Sequence, residues 1–150
     1  MQGIERITVS ESVALITLHK SPVDIHFIAT VFSLIAEADI NVDMISQTAP
    51  LGGEISISFT IHDEDLTKVL NLSAKLREAA QDVKMIVSNG NAKISLYGEK
   101  MRDLPGIAAQ AFGRIASTNA DVRLITTSEV DISILVTQSD LQTVLEALKG

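Results

Sequence analysis

The sequence predicts an α+β protein made of two copies of a βαββαβ unit, and an internal repeat is the main observation behind this. Shifting the sequence by 80 residues matches the core positions of a helix and the following strand without a gap. The matched pairs are Ala29/Ala109, Phe32/Phe112, Ile35/Ile115, Ala36/Ala116, Val42/Val122 and Ile45/Ile125. A shift of 75 then matches Ile57 with Ile132 and residues 65–70 with 140–145. Chance similarity between amphipathic segments would not keep one register over this length, which favours duplication.

Each copy also contains a predicted strand pair. Residues 55–61 and 130–136 alternate between apolar and mostly small or polar side chains, which is the period of a half-buried strand. The preceding runs, 41–47 and 121–127, supply the second strand of each pair. One face of each pair should therefore contact a core, and the other is free for solvent, helices or a partner.

The remaining elements of the first copy follow from local patterns. Apolar residues recur at helical spacing after a Pro-containing loop, and short alternating runs flank this segment. The predicted elements are strands 4–9 and 13–18 separated by a turn at Glu11-Ser12, loop 20–24, helix 25–39 and strand 84–87. A second helix starts at Asp63 or Glu64. It is expected to direct Leu66, Val69, Leu70 and Leu76 towards the core.

The second copy begins after Ser88-Asn89-Gly90-Asn91, a run of turn-forming residues where we place a boundary. Its predicted elements are strand 93–97, loop 98–104, a helix introduced by Pro105-Gly106, the strand pair and helix 140–148. Its final strand is missing, and strand 4–9 has no place in the first copy. An open sheet edge exposes unpaired backbone groups, so strand 4–9 is expected to complete the second sheet. We therefore predict a first unit at 11–89 and a discontinuous second unit at 1–10 plus 90–150.

Composition excludes several classes of protein. The net charge is -7 and the basic residues are scattered, so no basic face for nucleic acid is expected. No apolar run is long enough to cross a bilayer, and the first residues lack a signal-peptide pattern. The absence of Cys excludes disulfides and thiolate metal sites, and fits a cytoplasmic location. The residues show no catalytic constellation, no metal-ligand spacing and no cofactor motif, so we expect none of these.

Several motifs resemble those of ACT domains, and more narrowly the regulatory half of aspartokinase. The strongest is Asn-Val-Asp-Met-Ile-Ser-Gln at 41–47. Ile-Thr-Thr-Ser-Glu-Val at 125–130 and the Ala-Lys-Ile-Ser-Leu-Tyr-Gly run at 92–98, with Met101 and Pro105-Gly106, are similar to the family's second unit. The resemblance covers nearly the whole chain. It implies ferredoxin-like units, each an antiparallel sheet with helices on one face, and includes the crossed N-terminal strand.

The resemblance also implies an effector site at the start of the first helix of a unit. There the family uses an Asp-x-Pro-Gly loop, in which a carboxylate suits an ammonium group and a helix N-terminus suits a carboxylate. The second unit keeps this pattern as Asp103-Leu104-Pro105-Gly106. The first unit reads Val23-Asp24-Ile25-His26, where only Asp24 offers a displaced carboxylate. A plain turn and helix start explains the intact loop equally well.

In the family, such a loop faces the start of the second strand of a neighbouring unit. For the Asp103 loop this implies Asn41, Val42 and Asp43. For the Asp24 loop it implies Asp121 and Val122, with Gln47 from its own unit. Backbone groups of such a strand can hold an amino-acid head group without special side chains.

The resemblance implies a non-catalytic regulatory module that binds an aspartate-pathway amino acid, of the lysine or threonine class, between ACT units. It further implies a homodimer and an enzyme partner, a kinase or another biosynthetic enzyme. The family's kinase half, with its Lys-Phe-Gly-Gly segment, has no counterpart here. The starting Met1 and the complete second unit fit a free-standing module, and a regulatory fragment of an aspartokinase is the alternative. A ligand-free oligomerisation module is the third hypothesis.

Overall fold

A computed structural model describes all 150 residues, and the chain divides into two compact units. The first unit comprises Val13–Asn89, and the second comprises Met1–Ser12 with Gly90–Gly150. Each unit is an antiparallel sheet with helices packed on it, which confirms the predicted α+β class. Strands β1 (Arg6–Pro22) and β4 (Lys84–Tyr97) contribute residues to both units.

The first unit has the strand order β2-β3-β1-β4. Its further elements are α1 (Ile25–Glu37), β2 (Ile45–Gln47), β3 (Glu54–His62), a 3-10 turn (Asp63–Asp65), α2 (Leu66–Leu70) and α3 (Ser73–Ala79). Alternate residues of β1 and β3 point to the core, where Ile16, Leu18, Ile57 and Phe59 are almost fully buried. The Phe59 ring meets Phe32 of α1 edge to face, with 5.7 Å between ring centroids.

The second unit has the strand order β1-β4-β6-β5. Its further elements are a 3-10 helix (Glu99–Arg102), α4 (Ile107–Ala116), β5 (Val122–Thr127), β6 (Asp131–Thr137), a 3-10 turn (Gln138–Asp140) and α5 (Leu141–Lys149). The N-terminal chain lies in this unit: the Glu5 backbone N–H donates to the Tyr97 carbonyl at 2.8 Å. Ile4 and Ile7 pack against the second core.

Two predicted interruptions of the strands are wrong. Glu11-Ser12 is not a turn, because β1 runs through it, and residues 88–91 lie within β4. At each of these places one residue takes a positive φ, 57° at Ser12 and 71° at Gly90. The left-handed conformation is accessible to Gly and to occasional small polar residues, so the strand bends without reversing. The division between the units lies at these residues.

The helical region after β3 also differs from the prediction. A single helix was expected, but α2 and α3 are separated at Asn71-Leu72. The interruption resets the helical phase, so Leu72 is buried at 8% exposure and Leu70 is 47% exposed. Leu70 is therefore not a core residue, contrary to the sequence prediction. The predicted loop 20–24 is shorter than expected, since β1 continues to Pro22. No helix of the chain has the length and apolarity needed to cross a membrane.

Candidate functional site

The loop between β4 and α4 carries the intact Asp-x-Pro-Gly pattern. After β4 the chain forms one 3-10 turn, and the Asp103 and Leu104 backbone N–H groups both donate to the Lys100 carbonyl, at 3.1 and 3.0 Å. Gly106 then takes a φ of +88°, which favours glycine, and α4 begins at Ile107. No atom lies near the position of a Cβ on Gly106. The glycine is therefore required by its backbone angle, and the space beside it is open.

This loop presents two kinds of polar group to solvent. Asp103 is exposed and negatively charged. The first N–H groups of α4 have no intrahelical acceptor, as in any helix. The N-cap residue, Gly106, has no side chain that could accept from them instead. The helix dipole adds positive potential at the same place. A molecule with both an ammonium group and a carboxylate complements these groups.

A cleft of about 250 Å³ lies within the second unit, beside this loop. Its volume lies just below the roughly 300–1,000 Å³ of pockets for drug-sized ligands, so it suits a small metabolite. The start of α4 forms one wall and the β5–β6 hairpin the other. The lining residues are Met101, Leu104, Gly106, Ile107, Ala108, Thr127, Ser128, Glu129 and Ile132. A lining that combines apolar side chains with a few polar groups is typical of ligand clefts.

Both signs of charge are present at the rim of the cleft. Arg102 Nη1 donates to Glu129 Oε2 at 3.0 Å, and Arg102 Nε lies 3.5 Å from Glu99 Oε2. All three side chains are more than half exposed, so these pairs contribute little to stability. Exposed pairs of this kind can exchange partners with a charged ligand at small cost. The cleft can therefore receive a cationic or an anionic group at its rim.

The equivalent loop of the first unit satisfies its helix start internally. Asp24 is the N-cap of α1, and its Oδ1 accepts from the His26 backbone N–H at 2.9 Å. The His26 ring Nδ1 lies 3.0 Å from the same oxygen. The bond from the His26 backbone N–H, followed by that from the ring, lowers the pKa of the Asp24 carboxyl. Asp24 thus already occupies the helix N-terminus that an effector carboxylate would need.

The two strand starts implied by the resemblance also differ. Asn41 and Asp43 are exposed, and Val42 packs on the first core. The Asp43 N–H donates to the Thr60 carbonyl at 3.1 Å, whereas no acceptor is found for the Asn41 N–H. Gln47 ends β2 and is exposed. The segment before β2 therefore leaves the Asn41 N–H available to another acceptor.

At the start of β5, the corresponding donor is occupied. The Asp121 N–H donates to Asp140 Oδ2 at 2.9 Å, and the Asp121 carboxylate pairs with Arg123 at 2.9 Å. The Asp140 carboxylate also accepts from the Thr137 hydroxyl at 2.8 Å. These bonds, that from Asp121 first, lower the pKa of Asp140. Val122 packs on the second core.

The structure brings together some of the predicted site residues and adds others. Of the predicted loop residues, Leu104 and Gly106 line the cleft, while Pro105 lines a smaller pocket of about 90 Å³. The hairpin residues Thr127, Ser128 and Glu129 complete the cleft. The signal for them was the Thr-Ser-Glu-Val motif, which we used only to identify the resemblance. No cluster of three or more side chains suited to a metal ion is present.

Comparison with known proteins identifies a family and several relatives that share this architecture. A family model described as "ACT domain" matches residues 24–79 and 94–150. Aspartokinase 2 of Bacillus subtilis is 27% identical over 145 residues, which is 97% of this chain and 35% of the kinase. The aspartokinase of Corynebacterium efficiens is 32% identical over 122 residues, 80% of this chain and 29% of the kinase. The chain thus spans about a third of these relatives.

One solved structure matches this chain over almost the full length of both proteins. The regulatory subunit of aspartate kinase from Thermus thermophilus, in its ligand-free form, superimposes with a TM-score of 0.89 at 27% identity. The match covers 99% of this chain and 97% of that one. The chain is homologous to the aspartokinase regulatory region. With both units matched by the family model, it belongs to the ACT-domain family.

Proposed function

We propose that this protein is a non-catalytic regulatory module that senses an aspartate-pathway amino acid, of the lysine or threonine class. The observation that carries the proposal is the Asp103–Gly106 loop, which places a carboxylate and free helix N–H groups beside a cleft. An α-amino acid carries the two complementary charges at a fixed separation. Few other small metabolites need both groups at one loop.

The chemistry of the site assigns a role to each group. Asp103 attracts the α-ammonium, and the N–H groups at the start of α4 bind the α-carboxylate. The effector side chain enters the cleft towards Ser128 and Glu129. A lysine side chain would exchange its ammonium for Arg102 at Glu129, and a threonine hydroxyl would bond to Ser128 or Thr127.

The regulated enzyme is proposed to be an aspartate kinase in the cytoplasm. The relatives are aspartokinases of which this chain spans about a third, and the Thermus structure is a regulatory subunit. The module would act either as a separate subunit or as part of a longer kinase chain. An effector that binds one conformation of the module better than another shifts the population towards it. Regulation then requires no catalytic residue here.

A second candidate is a ligand-free oligomerisation module. Two observations favour it: the first helix start is capped internally by Asp24, and the edge strands β2 and β5 expose Ile45 and Ile125. Both candidates share the proposed homodimer. The difference between them is whether any amino acid stabilises the protein.

A thermal-shift screen against the twenty amino acids distinguishes the two. We expect L-lysine or L-threonine to raise the melting temperature with rising concentration, since a ligand of the folded state stabilises by RT ln(1 + [L]/Kd). The D-enantiomer of the active compound is the matched control. Calorimetric titration of that compound then gives the stoichiometry. If none of the twenty shifts the transition at millimolar concentration, the sensing function is wrong and the oligomerisation module stands.

A further inference from the structure

The N-terminal segment, residues 1–5, packs on the outer side of the cleft wall. Gly3 lies so close to α4 that a Cβ on it would be 2.5 Å from Ile107 Cδ1 and 3.5 Å from Leu104 Cδ1. Ile107 and Leu104 are also among the apolar residues that line the cleft. Both therefore lie between the cleft and the N-terminal segment. Displacing the segment removes the support behind the cleft wall.

The backbone of this segment is fitted closely to the start of the effector loop. A Cβ on Gly98 would collide with the Gly3 carbonyl oxygen, so only glycine permits this approach. Gly3 itself has a φ of +83°, which also favours glycine. Close-packed protein interiors transmit strain, so a shift of the backbone at Gly3 is expected to displace the backbone at Gly98.

Glu5 joins the segment to the loop by two hydrogen bonds. Its backbone N–H donates to the Tyr97 carbonyl at 2.8 Å, and its Oε2 accepts from the Glu99 N–H at 2.6 Å. The second bond caps the 3-10 helix of the loop, whose own N-cap residue, Gly98, has no side chain to do so. A carboxylate that accepts a backbone N–H at a helix start forms a charge-assisted bond. The first backbone N–H of this 3-10 helix, that of Glu99, thus depends on the carboxylate of a residue just before β1.

The contacts continue from Glu5 to the rim of the cleft. The side chain of Glu99, whose own N–H is the capped one, lies 3.5 Å from Arg102 Nε and accepts from the Tyr97 hydroxyl at 2.6 Å. Arg102 in turn bonds to Glu129 at the rim. The Arg6 guanidinium lies 4.5 Å from the centroid of the Tyr97 ring. One short series of contacts therefore joins the N-terminal segment to both the wall and the rim.

We propose that the N-terminal segment is a positioning element of the effector site, with Glu5 as its positioning residue. The inference rests on the proposed function for the identity of the ligand, but not for the coupling itself. An ordered segment holds Leu104, Ile107 and the 3-10 helix in the geometry that the effector meets. By linkage, binding of the effector must stabilise the segment as much as the segment stabilises binding. A change that orders or displaces residues 1–5 would then alter the affinity of the cleft for its effector.

Hydrogen exchange of the full chain without ligand tests the coupling. The variants are Glu5→Ala, Glu5→Gln and the control Glu11→Ala, which removes a carboxylate of β1 that accepts from Gln138 at 2.6 Å, away from the cleft. We expect Glu5→Ala to accelerate exchange in residues 98–109 as well as 1–6. Glu5→Gln should restore much of the protection, because its amide oxygen still accepts the Glu99 N–H. Glu11→Ala should leave residues 98–109 unchanged.

Titration with L-lysine and L-threonine supplies the second measurement. Glu5→Ala should weaken binding of the active amino acid by about fivefold or more, at the lower end of typical coupling between sites. In the wild type the same amino acid should increase protection of residues 1–6, which a merely structural role for Glu5 would not produce. Frayed residues 1–6 with unchanged exchange in 98–109, or with unchanged affinity, would overturn the proposal. If neither amino acid binds the wild type, the proposed function fails, and the exchange comparison alone still decides the coupling.

Discussion

The Asp121 backbone N–H donates to the Asp140 carboxylate, with 2.9 Å between nitrogen and oxygen. The duplicated positions in the first unit are Asn41 and Asp65, and they are not joined in this way. Asp65 pairs instead with Lys68 at 3.3 Å, and the Asn41 N–H has no acceptor. The helix-start residues Asp65 and Asp140 have nearly the same φ and ψ, so the difference is in the side chains. The Asp140 carboxylate thus occupies the backbone donor at Asp121, whereas the equivalent donor of the first unit, the Asn41 N–H, has no such partner.

Replacing Asp140 should open the second strand start. In Asp140→Ala the Asp121 N–H loses its acceptor, and we expect its amide exchange to accelerate strongly while β6 remains protected. The matched variant is Asp65→Ala. We expect the Asn41 N–H to exchange rapidly in the wild type and equally rapidly in this variant. Amide-resolved exchange by NMR provides the measurement. Equal protection of Asp121 in the wild type and in Asp140→Ala would contradict this account.

Acid should weaken the protein through the same carboxylate and through Asp24. Hydrogen bonds lower the pKa of both groups below the ordinary value of 3.8, so the folded state holds its protons less tightly than the unfolded chain. Their contribution is complete above the unfolded-state pKa and is lost as the pH falls through the lower, folded-state pKa. Urea unfolding between pH 7 and 2 should show the wild type losing its advantage over Asp24→Asn/Asp140→Asn below about pH 4. A constant difference over this range would exclude the effect.

The hydrophobic periodicities predict the fold class because they indicate which side chains are buried, and these side chains form both cores. The repeat register places Ile57 and Ile132 on equivalent strands, and both are buried. The continuity of β1 through Ser12 could not be predicted in this way. Ser is a common turn residue, and only the pairing of the whole strand shows that the chain continues through Ser12 without reversing.

The sequence predicts the loop of the candidate site but not the cleft beside it. The Asp-Leu-Pro-Gly motif is local, so Gly106 and its positive φ could be anticipated. Glu129 and Leu104 are far apart in the chain, and only the packing of the β5–β6 hairpin on α4 brings them to one cleft. Likewise, the capping of Glu99 by Glu5 joins residues 94 positions apart. No short motif encodes such contacts.

The glycine at the start of α4 should be sensitive to substitution for a backbone reason alone. Gly106→Ala places a side chain at a φ of +88°, and the left-handed conformation costs roughly 1–2 kcal/mol in an L-residue. No neighbouring atom adds to this cost. Gly113→Ala, in the interior of the same helix, should instead stabilise by about 0.5–1 kcal/mol. Chemical unfolding measures both, and a Gly106→Ala variant as stable as Gly113→Ala would disprove the assignment.

The proposed homodimer should depend on the first unit more than on the second. Ile45 and Ile125 are equivalent in the repeat, lie on the edge strands β2 and β5 and are 54% and 44% exposed. A lysine on an edge strand opposes pairing with another chain. We expect light scattering to give twice the 16.1 kDa chain mass for the wild type and for Ile125→Lys, and the monomer mass for Ile45→Lys. A monomeric wild type at micromolar concentration would refute the dimer.

Charge reversal should locate the effector in the second unit. Asp103→Lys puts a cation beside the α-ammonium, and a single pair at roughly 4 Å is worth about 1 kcal/mol in water, so reversal should cost tenfold or more in affinity. Asp24→Lys should affect binding much less, although it removes the N-cap of α1 and should lower stability. Asp24→Asn retains a capping oxygen and separates the two effects, since it should lose less stability than Asp24→Lys and leave binding unchanged. Calorimetric titration of each variant with the active amino acid gives the affinities. If Asp24→Lys and Asp24→Asn abolish binding while Asp103→Lys does not, the effector belongs to the first unit, and the internal capping by Asp24 must open to admit it.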